Sequence, residues 1–259
     1  MPQRLASDLH KRWARLKPPL RPPPVAVEAM LALIARCPGK RLLLGVTPEL
    51  ALAARDVVAI DWSRPMIAGV WPGNDSGRGV IEADWLAMPF APASFGAVLG
   101  DGALNMLHWP DGYRDTLSAV ASVLKPGGRI VLRCFVMPDP PEALSHLTAE
   151  TLAGRVGGFH AFKWRLAMAA RREGGSPDIA SRDIWEAFQT CFPDRDALSR
   201  ATGWAVDTIH EIDDYSVSTL TKSFPTRAEV LETAPEGVFV ETTGYELAQC
   251  CPLLVIDMP

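Results

Sequence analysis

An open α/β fold with a mostly parallel, doubly wound sheet is what this sequence predicts, and three stretches predict it. The first is Arg41 to Leu50, RLLLGVTPEL. Leu42, Leu43 and Leu44 form a short apolar run that ends at Gly45, as a strand buried on both faces does. Thr47-Pro48-Glu49 then reads as the start of a helix. Thr47 stands at the cap, Pro48 at the first position, and Glu49 near the positive end of the dipole. The second stretch is Val57 to Asp61, VVAID, a buried strand with an acid at its carboxyl end. The third is a helix over 111–124 followed by LKPGG and the apolar run RIVLRCFV. Ligands of open α/β sheets lie at the carboxyl ends of the strands, and an acid after the second strand holds ribose hydroxyls. Gly45 and Asp61 therefore mark a nucleoside site.

The cofactor follows from what the turn lacks. A dinucleotide site wants G-x-G-x-x-G, so that bare backbone and a helix N-terminus can meet pyrophosphate. Here only Gly45 is present, and Glu49 puts negative charge where phosphate would lie. S-adenosylmethionine has no phosphate and a cationic sulfonium, so it tolerates both. With AIDWSRPMI and the helix–LKPGG–strand sequence in view, the chain resembles the class I S-adenosylmethionine-dependent methyltransferases over residues 40–136 and 225–258. That resemblance implies a seven-stranded, Rossmann-like sheet closed by an antiparallel pair.

In chain order, residues 3–16 read as an amphipathic helix with Leu5, Leu9, Trp13 and Leu16 on one stripe. Arg4, Lys11, Arg12, Arg15, Lys17 and Arg21 face a single acid, Asp8, in this segment. It reads as a membrane-surface helix, a flap over the cofactor, or a helix merely packed on the body; of the first two the flap is favoured, because PPLRPPP is a stiff connector. Arg21 would then meet the methionine carboxylate. A second helix spans 25–36 and stops at Cys37-Pro38-Gly39.

By the resemblance, Asp61 binds ribose, Trp62 and Met66 lie against adenine, and Asp84 accepts from its amino group. Leu86 flanks the ring, and Trp85 beside it is a further cofactor contact. Val46 and Thr47 complete the first loop, and Gly100 (through its carbonyl) and Asp101 (through its charge) hold the methionine amino group. Ordinary packing is the competing reading for Trp62 and Met66. Departures from the family pattern are explicit. The acid two residues before the first glycine is Leu43 here, and the later glycines are Thr47 and Glu49.

The pattern lapses between 138 and 224, where helices are expected over 141–153, 158–172, 180–190 and 194–202. By the resemblance, an insertion at this point is expected to roof the acceptor pocket. His160, Lys163, Trp164 and Ala167 share one helix face. This makes Lys163 and Trp164 candidate acceptor contacts, against a boundary helix with Lys163 snorkelling outward. Arg165, Arg171 and Arg172 read as a solvated face. The candidate general bases are His160, His108 and Tyr215, needed only if the nucleophile arrives protonated. Pro225 to Ala234 is the last core helix, with strands over 238–243 and 253–257. The organisation is thus a flap (1–37), a core (38–137), an insertion (138–224) and a closing helix and strand pair (225–259).

Composition sets the remaining bounds. With 259 residues and 48% hydrophobic side chains, one α/β domain with an insertion is the natural size. A net charge of −4 offers no field for wrapping nucleic acid. The five cysteines lack paired metal spacing, so no metal site is expected, and vicinal Cys250-Cys251 reads as packing. No run approaches the ~20 apolar residues of a membrane span, and a cytoplasmic enzyme acting on a small molecule is expected. The sequence does not fix the oligomeric state. A degenerate relative that binds the cofactor or a protein partner without catalysis is the alternative.

Overall fold

A computed structural model describes residues 9–171 and 174–259. The strands are β1 (Arg41–Leu44), β2 (Val57–Asp61), β3 (Arg78–Glu82), β4 (Phe95–Asp101), β5 (Leu124–Arg133), β6 (Asp178–Ala180), β7 (Thr221–Ser223), β8 (Val238–Val240) and β9 (Leu253–Asp257). Seven of them form one sheet in the order β3-β2-β1-β4-β5-β9-β8. The first five are parallel, and β9 runs antiparallel to both β5 and β8. The chain reverses its direction of winding between β1 and β4, which is where open sheets of this kind leave a crevice.

Alternation along the strands explains why both faces are covered. Leu43, Leu99 and Val131 point to one side, packing with Val27 and Met30 of the Pro24–Leu33 helix and with Ile34 at its end. Leu42, Leu44, Val98, Ile130 and Leu132 point to the other, against Tyr113, Leu117 and Val120 of the Asp111–Val123 helix. A two-residue side-chain period in strands with two apolar faces leaves neither exposed. At Gly96 even a methyl would stand 1.9 Å from the Pro38 carbonyl oxygen, so only glycine lets the two backbones approach.

The insertion has its own core. Helices Leu144–Leu152, Phe159–Ala169, Ser181–Cys191 and Arg195–Thr202 surround Phe159, Phe162, Phe188, Phe192 and Trp204, with neighbouring ring centroids 5.1–6.1 Å apart. Its expected helices are present, but β6 and β7, paired antiparallel, were not foreseen. Each is three residues long, too short for an alternating pattern to be read.

Other boundaries shift for local reasons. Among the described residues the N-terminal helix covers Leu9–Arg12 and gives way to a 3-10 turn at Trp13–Arg15; the prolines at 18 and 19 disfavour helix just before them. Leu5, Arg4 and Asp8 lie outside the described residues, as does Arg172. β5 begins at Leu124, running through LKPGG, with its register against β4 shifted between Phe95 and Ala97. The Arg165–Arg171 face is not solvated. Arg165 grips Glu142 at 2.5 and 2.9 Å, and Arg171 grips Glu229 at 2.6 and 3.0 Å, tying the insertion to the last core helix, Arg227–Thr233. The cysteines are free thiols. Cys250 and Cys251 are fully buried, which raises their pKa values to about 11 and 12, as packed side chains. No described helix is long and apolar enough to cross a membrane.

Candidate active site

The parallel order β3-β2-β1-β4 brings four carboxyl ends to one edge. Register pairs Leu44 with both Ile60 and Gly100, and Asp61 with Glu82, so Ala83–Asp84, Asp61, Gly45 and Gly100 succeed one another along that edge. Gly45 has φ +85°, a left-handed value that lets the chain leave β1 sharply. Its amide donates to the Ile60 carbonyl at 2.9 Å. A side chain there would meet Asp61, whose Oδ2 is 3.9 Å from the Cβ position.

Asp61 is 7% exposed and its Oδ1 accepts from the Ser63 amide at 2.7 Å. Burial raises its pKa to about 6, and the Ser63 bond offsets part of that. No cation among the described residues is paired with it. A buried carboxylate with one oxygen uncommitted suits a pair of neutral hydroxyl donors. Ser63 caps the following helix, accepting from the Met66 amide at 3.4 Å. Trp62, Asp84 and Leu86 stand at the surface of this edge and Met66 is half-buried. The Asp84 carboxylate accepts from the Leu86 amide at 3.0 Å. Trp85 is different: its ring is in the core and its indole donates to the Ile60 carbonyl at 2.9 Å, leaving only backbone for a ligand.

Val46 and Thr47 are buried, and Thr47 sits at the helix cap without its hydroxyl bonding the backbone, contrary to the expected cap. The Pro48–Ala53 helix is instead met by a segment from the N-terminus. Arg21 Nε donates to Glu49 Oε1 at 2.5 Å, and its guanidinium lies over the Trp13 ring. Glu49 Oε2 is buried with no partner. Thus Arg21 does reach the first strand tip, but onto the acid that replaced a glycine.

At the β4 tip Asp101 is already engaged. It faces Arg133 across the β4–β5 pair and takes two bonds from it, at 2.5 and 3.1 Å. Arg133 is fully buried and also donates to the Pro19 carbonyl at 2.7 Å. Burial alone would lower its pKa; the charge and hydrogen bonds of Asp101 outweigh that and keep it protonated. The charge expected to hold a methionine amino group is therefore committed elsewhere. Gly100 is packed by Leu132, Ala103 and Leu44, so its absent side chain reflects crowding, and only its backbone remains to meet a ligand.

Of the candidate bases, His160 and Tyr215 both neighbour Lys163, and His108 bonds a different acid. His108 is exposed and bonded to Asp178 on β6 at 2.8 Å. His160 is buried with both ring nitrogens occupied. Nδ1 accepts the Lys17 amide at 3.1 Å, so Nε2 carries the proton toward Glu211 at 3.2 Å. Burial lowers its pKa, the nearby Lys163 adding to the effect. A neutral imidazole with neither nitrogen free takes no proton from an acceptor in this arrangement. Lys163 does not snorkel: it is 4% exposed, 4.0 Å from Glu211. Tyr215 lies beside it, and burial raises its pKa. Trp164 packs between Phe135 and Phe224, with its indole nitrogen buried and unpartnered. Lys222, Glu211 and Arg133 escaped the sequence reading. Isolated charges in apolar surroundings carry no spacing signal.

The seven-stranded sheet has the Rossmann-like methyltransferase fold, and residues 45–132 match the family model described as a methyltransferase domain. Among relatives, the demethylmenaquinone methyltransferase of Corynebacterium glutamicum strain R is 36% identical over 95 residues, 37% of this chain and 39% of the relative. That of Corynebacterium efficiens is 35% identical over the same shares. The chain therefore spans about two fifths of the curated relatives it matches. Two solved structures share the fold. One is a SAM-dependent methyltransferase from Methanosarcina mazei, with TM-score 0.51, 15% identity and 92% of this chain and 99% of that chain covered. The other, described as a zinc-dependent alcohol dehydrogenase from Rhodobacter sphaeroides, has TM-score 0.59, 14% identity and 95% and 93% covered. Among the described residues, no three His, Cys, Asp or Glu side chains are grouped to hold a metal ion.

Proposed function

We propose that the chain transfers the methyl group of S-adenosylmethionine to a small-molecule acceptor by in-line displacement. The observation that carries this is the buried Asp61, bonded to no cation among the described residues, beside the left-handed Gly45 at the edge where four parallel strands end. When bound, the cofactor supplies an electrophilic methyl on a sulfonium. Asp61 accepts the ribose hydroxyls, and Gly45 lets the ligand approach the backbone. Asp84 accepts from the adenine amino group between Trp62, Met66 and Leu86. At the methionine end Arg21 and Glu49, paired to each other in the free protein, offer a cation for the carboxylate and an anion for the ammonium. Glu49 thereby stands in for the acid absent at Leu43.

The rest of the task is positional: holding nucleophile, methyl and sulfur in line and keeping water out. The N-terminal segment supports a closed site. It reaches from the Arg64–Val70 helix, where His10 packs against Gly69, to the insertion, where Arg12 pairs with Asp214 and the Lys17 amide meets His160.

Calorimetry with S-adenosylhomocysteine tests the reading; no heat at millimolar ligand would remove it. Binding without a methylated product across a broad acceptor panel would favour the non-catalytic alternative. Arg21→Ala is expected to weaken S-adenosylhomocysteine about tenfold, as loss of one charge-assisted hydrogen bond does, with melting little changed. Unaltered affinity would separate Arg21 from the cofactor.

A further inference from the structure

Within the insertion, two buried ammonium groups lie over one tyrosine ring, and among the described residues one carboxylate is paired with them. Lys163 extends from the Phe159–Ala169 helix and Lys222 from β7, and they are 4% and 7% exposed. Both lie over the Tyr215 ring, their Nζ atoms 5.7 and 4.3 Å from its centroid. Lys163 also stands over Phe159, at 5.6 Å. Glu211 is the carboxylate, 4.0 Å from Lys163 and shared with His160. Lys222 has no acid. Its Nζ donates to Ser181 Oγ at 2.9 Å, and that hydroxyl donates onward to the Leu220 carbonyl at 2.8 Å. Arg12, from the N-terminal helix, adds positive charge beside Lys163, but Asp214 neutralises it.

A buried ammonium without a counter-anion is costly, and proteins answer by pairing it or shedding its proton. Here Lys163, Lys222 and Glu211 leave one positive charge over, while the neutral His160 contributes none. The cluster also has a place in the proposed reaction. Lys17 touches His160, and two residues on, Pro19 accepts from Arg133 beside the β4 tip. Asn105 bonds the carbonyls of both Phe135, just beyond β5, and Ser223 next to Lys222. The two lysines are thus tied to the strand ends through short contacts.

We propose that this cluster is the acceptor subsite and that it takes an aromatic carboxylate. The carboxylate is held by Lys163 and Lys222 and the ring rests on Tyr215 and Phe159. One surplus positive charge matches a monoanion rather than a phosphate dianion, and the aromatic lining matches a flat ring. The inference rests on the methyltransferase reading and adds the substrate class. Burial holds Lys163 near a pKa of about 8 and Lys222 near about 7, so an arriving anion draws protons onto the pair.

The test is calorimetry on the full chain saturated with S-adenosylhomocysteine. The probes are the three hydroxybenzoate isomers and the three matching hydroxybenzamides. At least one acid is expected to bind at least tenfold more tightly than its amide. At pH 7.5, runs in buffers of different ionisation enthalpy should show net proton uptake. Lys222→Met should abolish the preference while melting at or above the wild-type temperature, because it removes a buried charge without a partner acid. Acids and amides bound alike, no binding by any of the six, or a preference surviving Lys222→Met would each overturn the proposal. The wild-type comparison stands even if the variant fails to fold. Absence of S-adenosylhomocysteine binding would instead remove the methyltransferase reading, so the two failures are distinguishable.

Discussion

Asp61→Asn is expected to weaken S-adenosylhomocysteine about a hundredfold while leaving the fold intact. The carboxylate is buried, its Oδ1 is occupied by the Ser63 amide, and no side-chain cation among the described residues is bonded to it. Two ribose hydroxyls would therefore donate to a charged acceptor whose desolvation has already occurred. Hydrogen bonds to charged groups contribute about 1.5–3 kcal/mol each, so losing the charge on a shared acceptor removes roughly 3 kcal/mol. Asparagine keeps the shape and an oxygen for Ser63. Calorimetry gives the affinity and thermal melting checks the fold. An affinity within threefold of wild type would exclude Asp61 from the ribose site.

The same residue sets a pH dependence whose sign is fixed. Hydroxyl donors favour the ionised carboxyl, so affinity should be flat above about pH 7 and should fall as pH drops through about 6. In the free protein the effect on stability runs the other way. The folded carboxyl binds its proton more tightly than the unfolded one. The ligand-free chain thus loses stability as pH rises from about 4 to 6, by roughly 3 kcal/mol for a two-unit shift. Asp61→Asn should flatten both profiles.

Asp61 was legible in the sequence because the fold advertises it: an apolar strand, an acid, then a capped helix. β1, β2, β4 and the Asp111–Val123 helix were legible for the same reason, since buried strands and amphipathic helices have periods that sequence preserves. The insertion's helices were readable as helices, and Lys163 and Trp164 as candidate acceptor contacts, but the burial and partners of these residues were not readable. Lys163 sits on a helix buried on nearly every side, a circumstance set by Phe135, Tyr215 and Phe224 from distant parts of the chain. Periodicity alone could equally place it on a boundary, reaching for water. His160 fared likewise. Its candidacy as a base came from its position, whereas its partners, the Lys17 amide and Glu211, come from segments 143 and 51 residues away. Local pattern cannot register bonds over such separations.

Arg133 is the sharpest instance, and replacing it should have the largest effect on stability. In RIVLRCFV it reads as an interruption of an apolar strand, yet it is fully buried opposite Asp101 in the adjoining strand. Arg133→Met would fill similar space but leave the Asp101 carboxylate buried without a cation and the Pro19 carbonyl without its donor. Removing one partner of a buried ion pair costs about 3–5 kcal/mol. For a chain of this size each kcal/mol lowers the melting temperature by about 2–4 °C, so a drop of roughly 10 °C is expected. The double variant Asp101→Leu/Arg133→Met should recover most of that drop, because the penalty comes from the stranded charge and not from loss of the pair as such. A single variant melting within 2 °C of wild type would mean that Asp101 is solvated or protonated there. The strand tip would then be open to the methionine amino group after all. If the double variant melts as low as the single, the Arg133 bond to Pro19 is what matters, and the pair's role is to fasten the N-terminal segment across the site.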